Sequence, residues 1–335
     1  MRNDENDKKR FLFLLCFLII YLVLWLFFVN PFDFVSQIVK IIMPLMQFII
    51  NGIIAGTIYA LIAIGFSIIY RTVKYFHFSH GIVYVTGAYL AYLLFILLGI
   101  NPLISFLFSI IICCLLGIAI DRFIYYPLRK HKASNLVFLI ASFGIFILLQ
   151  NLIQLIFGAQ ILTLRTGQVI EGRHFLGAVI TDTQILIIIA SIVLFFLTWL
   201  LIQKTKLGKA IRAVADDSIG ARVTGINSEK IITAVFAIGS ALAGIAGILV
   251  SLETNIEPTM GFNAILMGII ASIIGGIGSI PGALLGGLFL GLAENLGIWQ
   301  IQAGWKNAIA FGILILFLLF RPSGIMNVKP EKEKV

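Results

Sequence analysis

Two imidazoles three residues apart, His77 and His80 in "HFSHG", are the first side chains along the chain whose spacing could do chemistry. On a helix they would share a face and could ligate a metal, but no Cys, Asp or Glu lies nearby to complete the site. They read instead as surface histidines capping the start of an apolar helix. Ser79 beside His80 is no better as a hydrolase pair, because adjacent helical residues do not face each other and no Gly-x-Ser-x-Gly elbow is present. Gly208-Lys209 is the nearest approach to a phosphate-binding loop. Ala210 follows it and Gln203 stands where the first glycine is needed, so no nucleotide cradle forms. The remaining candidate is Glu294 in "LGLAENLG", a carboxylate well inside an apolar run. An ionisable group placed there is a functional-site hypothesis unless the run ends early and leaves it at an interface.

The elements that must position these groups are membrane spans. The 335 residues are 60% hydrophobic and 12% charged, with a mean hydropathy of +1.08, against about 25% charged residues in soluble domains. Apolar runs of about 20 residues, the length that crosses some 30 Å of hydrocarbon, recur along the chain, and none shows the alternation of a barrel strand. An all-α polytopic transmembrane bundle of about ten segments is expected. They lie near 11–29, 42–69, 80–99, 102–120, 136–157, 184–202, 231–251, 263–278, 281–298 and 305–320, the seventh opening on an Asn227 or Ser228 cap. The first run follows Lys8, Lys9 and Arg10, yet it is longer than a secretory h-region and "FVNPFDF" offers no small-residue cleavage site, so it reads as a retained span. Cys16, Cys113 and Cys114 fall inside apolar runs and read as small core residues.

Charge orients the bundle. With both termini cytoplasmic, every Lys and Arg except Lys40, Arg165, Arg173 and Lys306 falls on the cytoplasmic side, as the positive-inside rule requires. This makes 122–135 and 204–230 cytoplasmic and 158–183 and 252–262 external. The net charge of +9 therefore belongs to topology and calls for no nucleic acid.

Within 204–230 lies a polar, helix-competent island, "LGKAIRAVADDSIGARVTGIN". Asp216, Asp217 and Ser218 supply capping chemistry between a first helix carrying Lys209 and Arg212 and a second ending near Gly225. Its small residues Gly208, Ala210, Ala213 and Ala215 would let another protein approach closely, which favours a docking site; a solvated loop obeying the charge rule is the alternative. A second irregularity, "SIIGGIGSIPGALLGG", packs Gly275, Gly276, Gly278, Pro281, Gly282, Gly286 and Gly287 too densely for one unbroken helix, at about 1 kcal/mol per Gly and 3 per Pro. Either a tight turn between two spans or a broken, re-entrant helix satisfies it. The remaining small-residue spacing, as in "NGIIAG" and "ALAGIAGIL", reads as close helix packing.

Four stretches in order, "NGIIAGTIYALIAIGFSIIYRTVKYFHFSHG", the island, "GGIGSIPGALLGGLFLGLAENLG" and "KNAIAFGILILFLLFRPSGI", resemble the LivH-type permease of high-affinity branched-chain amino acid ABC importers over about residues 45–325. The extra N-terminal span departs from that pattern, as do His77 and Ser79, where the motif would read "NFAHG". The resemblance implies a division into 1–37 (N-terminus and extra span), 38–325 (permease domain) and 326–335 (charged cytoplasmic tail). It implies a chain that is itself no enzyme and holds no cofactor, with ATP and Mg handled by two cytoplasmic ABC ATPase subunits. A second LivM-like permease, an extracytoplasmic solute-binding protein and a bacterial cytoplasmic-membrane location are implied as well. Coupling to the ATPase would fall on Gly208, Lys209, Arg212, Ala213, Asp216, Asp217 and Gly225. Candidate path residues for a zwitterionic amino acid are Asn51, Ser79, His80, Gly276, Gly278, Ser279, Pro281 and Glu294. Branched-chain amino acids or related small polar solutes are the expected cargo; a stand-alone carrier or channel is the competing class. An intramembrane enzyme would need a paired acid and base or a complete metal site in the spans, which the sequence does not supply.

Overall fold

The computed structural model describes residues 31–166, 172–175, 177–299 and 301–326. The expected span at 11–29, Cys16, and the tail from 327 onward lie outside the described residues. The described helices are α1 (Pro31–Val73), α2 (His80–Tyr92), α3 (Pro102–Ile120), α4 (Tyr126–Lys130), α5 (Asn135–Phe157), α6 (Asp182–Lys204), α7 (Lys206–Asp216), α8 (Ser218–Val223), α9 (Ser228–Glu253), α10 (Met260–Gly275), α11 (Ile280–Gly297) and α12 (Lys306–Phe320). Single π-turns, Leu93–Leu97 and Asp121–Tyr125, extend α2 and follow α3. A two-stranded ladder, β1 (Arg173–Phe175) and β2 (Ala178–Ile180), precedes α6.

The chain falls into two compact units, residues 1–47 with 174–179, and 48–173 with 180–335. In the first, the Gln47 side-chain amide donates to the Val179 carbonyl at 3.1 Å and accepts from the Val179 N–H at 2.8 Å. The second holds the bundle.

Helix boundaries follow from local chemistry. Pro102 opens α3 behind Asn101, whose side chain accepts from the Leu103 N–H. Thr181 and Gln184 form a reciprocal capping box at α6. Asn227 caps α9 by accepting from the Lys230 N–H at 3.1 Å. Eight helical stretches among the described residues are long and apolar enough to cross a membrane, which makes this a multi-pass helical protein. The sequence expected about ten segments. One of those lies outside the described residues, and the segment placed at 263–278 is α10, whose 16 residues rise only about 24 Å and fall short of the hydrocarbon core by themselves.

Burial ranks the helices. The α1 and α9 stretches are 78% and 67% buried, whereas those of α5 and α6 are each 22% buried and that of α12 only 6%. The outer helices therefore present apolar faces outward, Leu148 and Leu155 on α5 among them. At the centre, small residues let backbones meet. A side chain begun at Gly56 would lie 2.8 Å from Leu288 Cα, and one at Gly52 would lie 2.9 Å from Leu292 Cα, so α1 and α11 cross in contact only because both positions are glycine.

Candidate functional site

The island folds as two capped helices. Thr205 accepts from the Gly208 N–H to start α7, and Asp217 accepts from the Ile219 and Gly220 N–H groups to start α8. Gly225 ends the second helix at φ +85°, its N–H on the Arg222 carbonyl at 3.0 Å. The strongly amphipathic α7 buries Gly208, Ile211, Val214 and Ala215, leaves Ala210 and Ala213 half-buried, and exposes Lys209 and Asp216. This corrects the reading of its small residues. Gly208 and Ala215 face inward while Ala210 and Ala213 stay half-buried, and a side chain at Gly208 would collide with the Leu201 and Ile202 carbonyl oxygens. Arg212 is also turned inward: its guanidinium donates to the Ile202 carbonyl, an orphan acceptor in the last turn of α6. Among the charged residues that face outward is an apolar pair. Ile219 is 72% and Val223 83% exposed, one turn apart on α8. Their i, i+4 spacing inside a polar island was the available signal.

The Gly/Pro segment is a tight turn between packed helices. Gly276 has φ +102° and Gly278 φ +88°, Ser279 caps α11 through the Gly282 N–H at 3.1 Å, and Pro281 sits in the first turn. The following C-terminal stretch pairs with its start, Ile325 N–H donating to the Ile274 carbonyl at 2.8 Å and Met326 N–H to that of Gly275 at 3.1 Å. One residue that sequence reasoning passed over joins island and turn. Arg71, in the last turn of α1, places Nη2 at 3.1 Å from Asp216 Oδ1 and Nη1 at 3.5 Å from the Gly278 carbonyl. Nothing local distinguishes it from a positive-inside arginine.

A second ion cluster, buried at Asp121, centres on Arg129. Arg129 pairs with Asp121 at 2.7 Å and with Glu229 at 2.9 Å, Thr233 donates to Asp121 at 2.7 Å, and Arg129 donates to the Tyr75 hydroxyl at 3.3 Å. Removing one partner of such a buried pair costs about 3–5 kcal/mol, because it strands the other charge.

The "HFSHG" histidines are not on the surface. His77, Ser79 and His80 are fully buried, in a stretch that connects α1 to α2 through the bundle. Non-helical backbone at such a place must be satisfied by protein, and it is. The Ser79 N–H donates to Ser142 Oγ at 3.0 Å and Ser79 Oγ to the Ser142 carbonyl at 2.8 Å, while His77 Nδ1 meets the Tyr125 hydroxyl at 2.9 Å. The His77 and His80 rings are 5.9 Å apart in an edge arrangement, and no group of three His, Cys, Asp or Glu able to hold a metal occurs among the described residues.

Glu294 belongs to a different cluster. The helix continues past it to Gly297, and the residue is 1% exposed, within the bundle rather than at its rim. Tyr59 donates to Glu294 Oε2 at 2.9 Å, and Oε1 is buried with no hydrogen-bond partner among the described residues. Asn51, Ala55 and Tyr59 are spaced one turn apart along α1 and are all half-buried. The predicted residues thus form three groups: the island with the glycine turn, linked through Arg71; Ser79 against α5 with the His80 ring against Gly65 of α1; and Glu294 with Tyr59 of α1.

A protein family described as "Branched-chain amino acid transport system / permease component" matches residues 48–318. The chain is 41% identical over 303 residues to the high-affinity branched-chain amino acid transport system permease protein BraD of Pseudomonas aeruginosa, covering 87% of this chain and 98% of that one. It is 36% identical over 304 residues to LivH of Salmonella typhimurium, covering 87% and 97%. Among solved structures, PsaBC from Streptococcus pneumoniae in complex with Fab aligns with 88% of this chain and 97% of its own, at a TM-score of 0.44 and 14% identity, too remote to carry an argument. The length of the match and the identities to BraD and LivH settle the assignment: the chain belongs to the branched-chain amino acid transport system permease family.

Proposed function

We propose that the chain is the membrane-spanning permease subunit of an ABC importer that moves branched-chain amino acids into the cytoplasm. It pairs with a second, LivM-like permease, is fed by an extracytoplasmic solute-binding protein, and is driven by two ATPase subunits that bind and hydrolyse ATP with Mg. It lies in the bacterial cytoplasmic membrane with both termini inside. The observation that supports this best is the island. It is a folded two-helix element with an outward apolar pair, Ile219 and Val223, tied to the bundle by Arg71 and Arg212. Such an element suits a motor that is a separate protein. Reconstitution with the other subunits tests the reading. Uptake is expected to require the ATPases and the binding protein together, and uptake by this chain alone would make it a stand-alone carrier.

The topology is checked by thiol labelling. In a background lacking Cys16, Cys113 and Cys114, Thr166→Cys is expected to react with an impermeant reagent in intact cells and Ser134→Cys to react only after lysis. The opposite pattern would invert the chain.

Coupling is assigned to Gly208, Lys209, Arg212, Ala213, Asp216, Asp217 and Gly225, with Arg71 relaying island movement to the glycine turn of Gly276, Gly278, Ser279 and Pro281. The Arg71–Asp216 pair is exposed on both sides, so it contributes at most about 1 kcal/mol to stability. Its value lies in registry between the two elements. Arg71→Asp is expected to leave assembly intact and to lower uptake per ATP hydrolysed severalfold, with substantial recovery in Arg71→Asp/Asp216→Arg. Equal coupling ratios in all three proteins would remove the pair from the relay. The path itself is placed along Asn51 and Glu294, with Ser79 and His80 supporting the bundle beside it.

A further inference from the structure

We propose that Glu294 Oε1 receives the α-ammonium group of the amino acid on its way through the permease, with Tyr59 fixing the other carboxylate oxygen. This rests on the importer reading above. Glu294 is 1% exposed, one oxygen is held by the Tyr59 hydroxyl at 2.9 Å, and the other is buried without a hydrogen-bond partner among the described residues. A carboxylate with an unmet oxygen is unfavourable in a bundle of apolar helices unless a cation visits it. Tyr59, which bonds Oε2, is itself half-buried and lies one turn along α1 from the half-buried Ala55 and two from Asn51.

The chemistry of the pocket selects the visitor. A hard divalent cation takes six or more oxygen ligands, which one carboxylate and one phenol do not provide. A primary ammonium needs less. Its N–H groups find Glu294 Oε1 and the Tyr59 oxygen, which donates its single hydrogen to Oε2 and keeps a lone pair to accept. The substrate carboxylate is repelled from the same spot, so a zwitterion is turned with its amine toward Glu294. Leu288 and Leu292, half-buried on the same helix, offer an aliphatic side chain an apolar surface.

The site is also built to release. Lys306 acts electrostatically on Glu294, but its Nζ is held by Asn295 Oδ1 at 3.3 Å. Asn295 in turn donates to the Gly291 carbonyl at 2.8 Å. A cation at that second position tempers the field without occupying Oε1, and conduction needs binding weak enough to leave. The competing account is that Glu294 serves only as the counter-charge of Lys306.

The complete importer in proteoliposomes separates them, with L-leucine as the probe and binding-protein-stimulated ATP hydrolysis measured alongside uptake. Glu294→Gln is expected to reduce uptake about tenfold or more, the scale of one lost charge-assisted hydrogen bond, with stimulated hydrolysis close to parental. Tyr59→Phe is expected to raise the leucine concentration for half-maximal uptake severalfold, and Lys306→Met, which removes only the tempering charge, to lower that concentration while costing far less uptake than Glu294→Gln. Parental uptake in Glu294→Gln overturns the proposal. So does a loss in Lys306→Met equal to that in Glu294→Gln, with recovery in the double variant. Should the Gln variant fail to assemble, Glu294→Asp decides: a severalfold loss of uptake in an assembled importer supports the site, and parental uptake overturns it. A parental importer that takes up no branched-chain amino acid would overturn the importer reading first and the site with it.

Discussion

Replacing Gly276 and Gly278 together by Leu is expected to abolish uptake while leaving the chain inserted in the membrane. Both residues hold positive φ, +102° and +88°, where a side chain costs on the order of 1–3 kcal/mol at each position. The turn cannot relax outward easily, since the stretch ending at Met326 is hydrogen-bonded to the start of the turn. Sterics add to the strain: a side chain begun at Gly278 would meet Arg71 Cβ and Cδ at 3.2 Å. Leucine there displaces the guanidinium from Asp216 as well as from the turn. Insertion depends on the apolar spans flanking the turn, so membrane yield should stay near parental. The check is leucine uptake normalised to the amount of inserted chain. Gly278→Asn is the milder control, because Asn tolerates left-handed backbone, and partial activity is expected from it. Full transport in the double Leu variant would make the turn a passive connector.

What could be read in advance was what neighbours in sequence determine. The segment expected at 184–202 is α6, Asp182–Lys204, with Thr181 and Gln184 setting its start. The one expected at 231–251 is α9, Ser228–Glu253, behind the anticipated Asn227 cap. Asp217 acts as the cap foreseen between the two island helices. The family itself was legible from the four ordered stretches. Contacts between distant residues were not. Tyr59 and Glu294 stand 235 positions apart and Arg71 and Asp216 145 apart, and no periodicity within a span announces either pairing. Depth was equally hidden: spacing alone could not say that "HFSHG" is buried, because its support comes from Tyr125 and Ser142 on other elements. The inward turn of Arg212 escaped for a simpler reason, since a short amphipathic helix can be rolled either way until its neighbour is known. At α10 the glycine density marked a break, which the structure places at Gly275, but composition could not say whether the 16 residues before it cross the hydrocarbon by themselves.

Under the proposed coupling, that roll of α7 and α8 sets which side chains an ATPase would meet. Arg212→Glu no longer tests a rim contact. It removes a donor from the Ile202 carbonyl and brings a negative charge to the C-terminal end of α6, an unfavourable place for one, so its effects would mix docking with local unfolding. Ile219 and Val223 are the cleaner probes, being 72% and 83% exposed and outside any hydrogen-bonded joint through their side chains. Changing either to Asp is expected to alter folding by no more than about 0.5 kcal/mol, as for other surface substitutions. Burial in an ATPase cleft is different. Two aliphatic side chains removed from water contribute about 3–5 kcal/mol together, roughly a hundred- to several-thousandfold in affinity, and a buried unpaired carboxylate adds a penalty of its own. Ile219→Asp/Val223→Asp should therefore insert normally, keep its partner permease, and lose the ATPases on purification, with uptake falling to background. Lys209→Ala, an exposed charge on the neighbouring helix, should change association modestly and in a salt-dependent manner. If the double Asp variant retains the ATPases at parental stoichiometry and transports normally, the apolar pair on α8 is not the docking surface and the motor grips the bundle elsewhere.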